Sequence, residues 1–140
     1  MGIRVTIKII AGETSVTTSA LLNSGFESAT PDLCIPQGLA RVLGLWPPPA
    51  FTSEEIDTAG GTASIYVLDI EARVQLLLND EVRREVRCIL LVNPYIDEVL
   101  LSDYLIDELG IVPISFRRGT WRHIDDPQST TRHSAKPQYW

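Results

Sequence analysis

Ala20-Leu21-Leu22-Asn23-Ser24-Gly25 is the stretch on which the fold turns. Three aliphatic residues suit a buried strand, and Asn-Ser-Gly stops it, because these residues favour local turns over a continued ladder. Taken by itself, the tripeptide reads as a turn between strands. Upstream, Ile3, Val5, Ile7 and Ile9 alternate with polar or charged residues, the period of a half-buried strand over Ile3 to Ile10. Ala11-Gly12-Glu13-Thr14-Ser15 then turns the chain into a second strand from about Val16 to Leu22. Downstream, Ser28 to Ile35 holds a possible short strand, Pro36 opens a helix spaced by Leu39, Ala40 and Leu43, and Gly44 ends it.

Trp46-Pro47-Pro48-Pro49-Ala50-Phe51 lacks three backbone donors and reads as a stiff connector packed by Trp46 and Phe51. Glu54 to Val67 centres on Gly60-Gly61, a hairpin turn. Ile65 to Leu78 has the pattern of one long strand, turned at Asn79-Asp80 into a return strand from Val82 to Val92 that Pro94 ends. Val99-Leu100-Leu101 precedes Ser102, a candidate N-cap, and a short helix through Leu109 stopped by Gly110. The chain echoes itself. Ala20-Leu21-Leu22 leads eventually to a helix ending Leu43-Gly44-Leu45, and Val99-Leu100-Leu101 leads to one ending Leu109-Gly110-Ile111, at unequal spacing. Residues 125–140 are polar with Pro127 and Pro137, and are predicted to be frayed or disordered.

The 140 residues fit one domain that can bury a core without a metal or disulfide. A net charge of −6 argues against nucleic acid or an anionic membrane as partner. No apolar run approaches the ~20 residues of a membrane span, and Arg4, Lys8 and Glu13 interrupt any leader-like N-terminus. Met1-Gly2-Ile3-Arg4-Val5-Thr6 fits a myristoylation pattern, but the strand period running through it is the preferred reading. Cys34 and Cys88 lie among aliphatic residues without a C-x-x-C spacing, so they read as buried thiols, which points to a reducing, cytoplasmic setting. Asp103 and Asp107 share a helix face without a histidine beside them, and His123 and His133 stand isolated, so no metal site is expected. Arg83-Arg84 and Arg117-Arg118 read as surface salt-bridge partners.

In their order, these motifs resemble the retropepsin-like aspartic proteases, the single-domain dimeric enzymes of retroviruses and their microbial relatives, over Ile3 to His123. An aliphatic strand running into Asp-Thr/Ser-Gly is matched by Leu21-Leu22-Asn23-Ser24-Gly25, the glycine-rich flap by Thr58-Ala59-Gly60-Gly61-Thr62, and the aliphatic run before a C-terminal helix by Val99 to Leu105. Gly119 to Arg122 is similar to the strand that follows that helix in microbial members. The resemblance implies an all-β, closed retropepsin-like barrel (the acid protease fold) with one or two short helices. The protease domain would span 1–124 with its flap near 56–66, working as a homodimer on peptide or unfolded protein without cofactor or metal. It also implies that Ser24 and Gly25 shape the catalytic turn, with the Ser24 hydroxyl bonding across the dimer axis. The flap residues 58–62 would contact substrate, with Ile56, Ala59, Ile65 and Leu101 as walls.

Two positions depart from the family pattern: Ser102 stands where viral members have glycine, and Asn23 stands at the catalytic aspartate. Aspartic proteases hold a water between two carboxylates that share one proton, one acting as base while the other donates. Asn23 has nearly the shape of an aspartate but no basicity to take the water's proton. The expectation is an inactive Asp-to-Asn form of an aspartic endopeptidase, either an engineered isostere or a natural loss that leaves a dimeric peptide-binding module.

Overall fold

The computed structural model describes residues 2–48, 51–58 and 61–140. The chain opens with a hairpin of β1 (Arg4–Ala11) and β2 (Thr14–Leu22), then β3 (Asp32–Pro36) runs directly into α1 (Gln37–Val42). A second hairpin, β4 (Phe51–Thr58) with β5 (Gly61–Leu68), precedes a third, β6 (Ala72–Leu78) with β7 (Glu81–Asn93). Then come β8 (Val99–Leu101), α2 (Asp103–Glu108), β9 (Ile111–Ser115), β10 (Thr120–His123) and β11 (Arg132–His133).

Six strands close into a barrel in the order β3-β8-β2-β1-β6-β7, because β3 also pairs with β7. The protein is thus mostly β, a closed barrel with two short helices. Strand parity explains the core. Ile3, Val5, Ile7 and Ile9 point inward from the first hairpin, and Ala72, Val74, Leu76 and Leu78 do so from β6, all buried. Leu39, Leu43, Leu105 and Leu109 close the barrel from the two helices. No helix among the described residues is long and apolar enough to cross a membrane.

The barrel is built twice. β2 lies parallel to β8, with Leu22 opposite Leu101, and β7 lies parallel to β3, with Val92 opposite Ile35. β1 crosses β6 and β3 crosses β8, both antiparallel, so the two halves interlock. Position by position, N-cap Pro36 matches N-cap Ser102, α1 matches α2, Leu43 matches Leu109, and Gly44 (φ 75°) matches Gly110 (φ 76°). Both glycines take the left-handed conformation that ends a helix. The echo therefore holds at the helices, but the strand equivalent to Val99–Leu101 is Leu33-Cys34-Ile35, not Ala20-Leu21-Leu22. The unequal spacing disappears once β3 is counted.

Two further expectations change. The long strand over Ile65 to Leu78 divides at the exposed Asp69 and Glu71: β5 pairs with β4 and β7, whereas β6 pairs with β1 and β7. The hairpin turn at Asn79-Asp80 stands, with both residues at positive φ (53° and 64°) as a tight turn requires.

Residues 125–140, expected to fray, are laid against the body. Asp126 takes a bidentate ion pair from Arg132 at 2.7 and 2.9 Å, which brings β11 onto β10. Ala135 N–H donates to the Arg4 carbonyl, and Arg4 N–H to Ser134 Oγ, each at 2.8 Å. Trp140 packs on the core, donating from its backbone to the Asp97 carbonyl at 2.8 Å and from Nε1 to Thr18 Oγ1 at 3.1 Å. A polar composition did not prevent order here, because these few directed bonds and one aromatic anchor hold the segment down.

Candidate functional site

Asn23 sits at the point where β2 leaves the barrel, and its N–H donates to the Leu101 carbonyl at 3.3 Å. Its side chain makes an Asx turn: Oδ1 accepts the Gly25 N–H at 3.2 Å, while the Phe26 N–H reaches the Asn23 carbonyl at 3.0 Å. Because a backbone N–H needs an acceptor, this bond fixes which side-chain atom is oxygen. Nδ2 has no partner among the described residues. Ser24 and Gly25 are exposed beside it.

The loop is braced from α2. Asp103 N–H donates to the Phe26 carbonyl at 2.9 Å, and Asp103 Oδ1 accepts the Ser28 N–H at 2.9 Å. Asp32 then takes both the Ser28 and Thr30 hydroxyls at 2.6 Å. Ser102 caps α2 by accepting the Leu105 N–H at 3.2 Å, which holds Asp103 in place. Ser102 is the N-cap that the sequence pointed to, whereas the bracing of the loop by Asp103, Ser28 and Asp32 was not expected from it. The Ser28-x-Thr30-x-Asp32 spacing, hydroxyls close before an acid, was the available signal.

The β4–β5 hairpin is attached to the barrel through β7. Thr58 pairs with Gly61 at the end of the described ladder, and Tyr66 and Val67 anchor the hairpin to β7. Asp57 pairs with Thr62 in the same ladder. Ala59 and Gly60, expected at the flap tip, lie outside the described residues, and so does the Ile56 side chain. At the hairpin's base Trp46 meets Tyr66 edge to face, with ring centroids 5.1 Å apart.

A second apolar cluster lies apart from the barrel core: Cys34, Ile65 and Leu91, with Phe26, Val67 and Leu100 packed on them. Of the expected walls, Ile65 belongs to this cluster. Leu101 does not. It faces the main core and its neighbour Leu100 takes the other side, as strand alternation demands.

The remaining candidates have structural surroundings. Burial pushes the Cys34 and Cys88 thiols up to about 12, which leaves both free cysteines protonated. His123 is fully buried, with Nε2 at 3.0 Å from the Leu109 carbonyl and Nδ1 accepting the Asp125 N–H at 3.2 Å. These bonds define a neutral tautomer, and desolvation lowers its pKa. Arg84 lies 3.8 Å from Asp125 and donates to the Glu108 carbonyl at 3.1 Å. The Arg117 and Arg118 side chains have no hydrogen-bond or ion-pair partner among the described residues.

Compared with known proteins, the chain matches no family model and no curated relative.

Proposed function

We propose that the chain is an aspartic endopeptidase scaffold of retropepsin type, carrying Asn23 where the acid belongs, which pairs with a second copy and grips extended peptide segments without cleaving them. The observation that carries this reading is the Asn23 turn. One side-chain atom is committed to the Gly25 N–H and the other has no partner among the described residues, in an exposed loop braced on α2. An aspartate there would keep the same internal bond through one oxygen and present the second outward. Two such oxygens across a twofold axis would share a proton and hold a water. Two amides would offer NH2 donors and oxygens too weakly basic to take a proton, so the water is not deprotonated.

Substrate in this reading lies as an added strand between loop and hairpin, its backbone held by the hairpin residues 58–62 and its side chains on the apolar cluster. The test is Asn23→Asp, assayed on extended peptides from acid to neutral pH. Turnover sensitive to pepstatin supports the endopeptidase scaffold. Unchanged peptide affinity without turnover favours the second reading, a non-catalytic binding module. That reading has its own support, because the barrel uses an asparagine turn again at Asn93, where a structural role suffices. Neither turnover nor peptide binding would remove both.

A further inference from the structure

We infer that the face formed by α2 and the end of β9 is where a second copy of this chain docks, by a self-complementary contact between Arg117-Arg118 of each copy and Asp107 of the other. The inference rests on the dimer of the proposed function and supplies its surface. A groove of about 390 Å³, lined by Ser24, Tyr104, Asp107, Pro113 and Phe116, starts at the Asn23 loop. Two exposed aromatic side chains line it, Phe116 at 43% and Tyr104 at 39% exposed. Scattered exposed apolar residues are ordinary, but these lie together beside the loop that must reach the axis.

Charge chooses the occupant. Arg117 and Arg118 follow Phe116 directly and are exposed with no ion-pair partner, in a chain of net charge −6. The Asp107 side chain, in the groove, is exposed and equally unpaired among the described residues. Within one chain the two signs do not meet, whereas a twofold operation can exchange them. This is the isologous pattern, in which residue i meets residue j and j meets i. Strand addition is the poorer alternative for this face. β9 is the edge of its three-stranded sheet, but Pro113 at its middle offers no N–H to an incoming strand. Contact through side chains remains.

The experiment is a charge exchange read by sedimentation. Arg117→Glu/Arg118→Glu in one protein and Asp107→Lys in another each put like charges at both symmetric contacts. Each variant alone is expected to dimerise at least ~10-fold more weakly than the unmodified chain, while an equimolar mixture recovers the dimer because every contact again pairs opposite signs. Thermal melts taken at concentrations where every protein is monomeric should coincide, since all three residues are exposed. Phe116→Ser serves as the uncharged check and should also weaken the dimer. If the unmodified chain is dimeric and both charge variants dimerise as well as it does, or if the mixture stays monomeric, this surface is wrong and the dimer stands on another. Retention of a heterologous protein at this face by a chain that is itself monomeric would overturn both this inference and the dimeric reading beneath it.

Discussion

Asn23 and Asn93 occupy matching places in the two halves of the barrel, one ending β2 and the other ending β7. Both make the same turn. Asn23 Oδ1 accepts the Gly25 N–H at 3.2 Å, and Asn93 Oδ1 accepts the Tyr95 N–H at 2.9 Å. Each carbonyl then takes the N–H three residues on, from Phe26 at 3.0 Å and from Ile96 at 3.4 Å. What differs is the cover. Asn93 is buried, and its loop is capped by Trp140, whose N–H holds the Asp97 carbonyl. Trp140 also presses on α1, where a Cβ on Gly38 would stand 3.0 Å from its backbone carbon. Asn23, by contrast, is followed by Ser24 and Gly25, both exposed to solvent. The turn is therefore a device of the fold, used at both ends, and openness and the brace from α2 are what distinguish the Asn23 end.

Exchanging amide for acid at the two positions separates them most sharply. Asn23→Asp should leave stability within ~0.5 kcal/mol, because the loop is exposed, and should raise peptide hydrolysis by at least ~10³-fold over the Asn23 protein. Asn93→Asp should produce no hydrolysis and cost about 1–3 kcal/mol in urea unfolding, the penalty for placing a carboxylate in a closed site. Equal behaviour of the two would break the comparison.

Removing the cover is the next largest change. Trp140→Ala should cost about 1–3 kcal/mol through lost aromatic packing and the lost bond to Thr18, and should increase hydrogen exchange around residues 93–98. In the Asn23→Asp background it should leave kcat unchanged. A fall in kcat would mean that the two ends are coupled.

The smallest effect concerns pH. His123 is neutral in the fold and its pKa is lowered by burial, so the unfolded chain binds a proton that the native state refuses. Stability is full above the unfolded histidine value near ~6.5 and declines as pH falls below it. His123→Gln should flatten the melting temperature between pH 7 and pH 5. Over that window the Asp126–Arg132 pair that anchors β11 stays intact, because the guanidinium holds the Asp126 carboxyl well below the usual range. The acid range needed to assay Asn23→Asp thus loosens the His123 contact before the tail.

Periodic signals carried most of the fold. The alternation of Ile3 to Ile9, the Asn79-Asp80 turn and the Ser102 and Gly110 boundaries of α2 are local, and each stands in the structure. The pairings were not legible, because β2 meets β8 across most of the chain's length and nothing local to Leu22 names Leu101 as its partner. Pairing also explains why β3 was missed as the twin of β8: four consecutive buried residues, Leu33 to Pro36, show no alternation. At the site, Asn23-Ser24-Gly25 was conspicuous. The brace from Asp103 to Ser28 and the plug at Trp140 were not, since both join residues far apart in sequence by single side chains.

A thiol at position 24 interrogates the twofold arrangement itself. Cys34 and Cys88 are buried, so Ser24→Cys carries one accessible sulfur on the exposed loop. Mild oxidation should give a reducible covalent dimer rapidly, and Ser129→Cys, exposed in the polar segment, should give little. A Ser24→Cys protein that stays monomeric under oxidation, or that cross-links no faster than Ser129→Cys, would contradict the meeting of the two Asn23 loops.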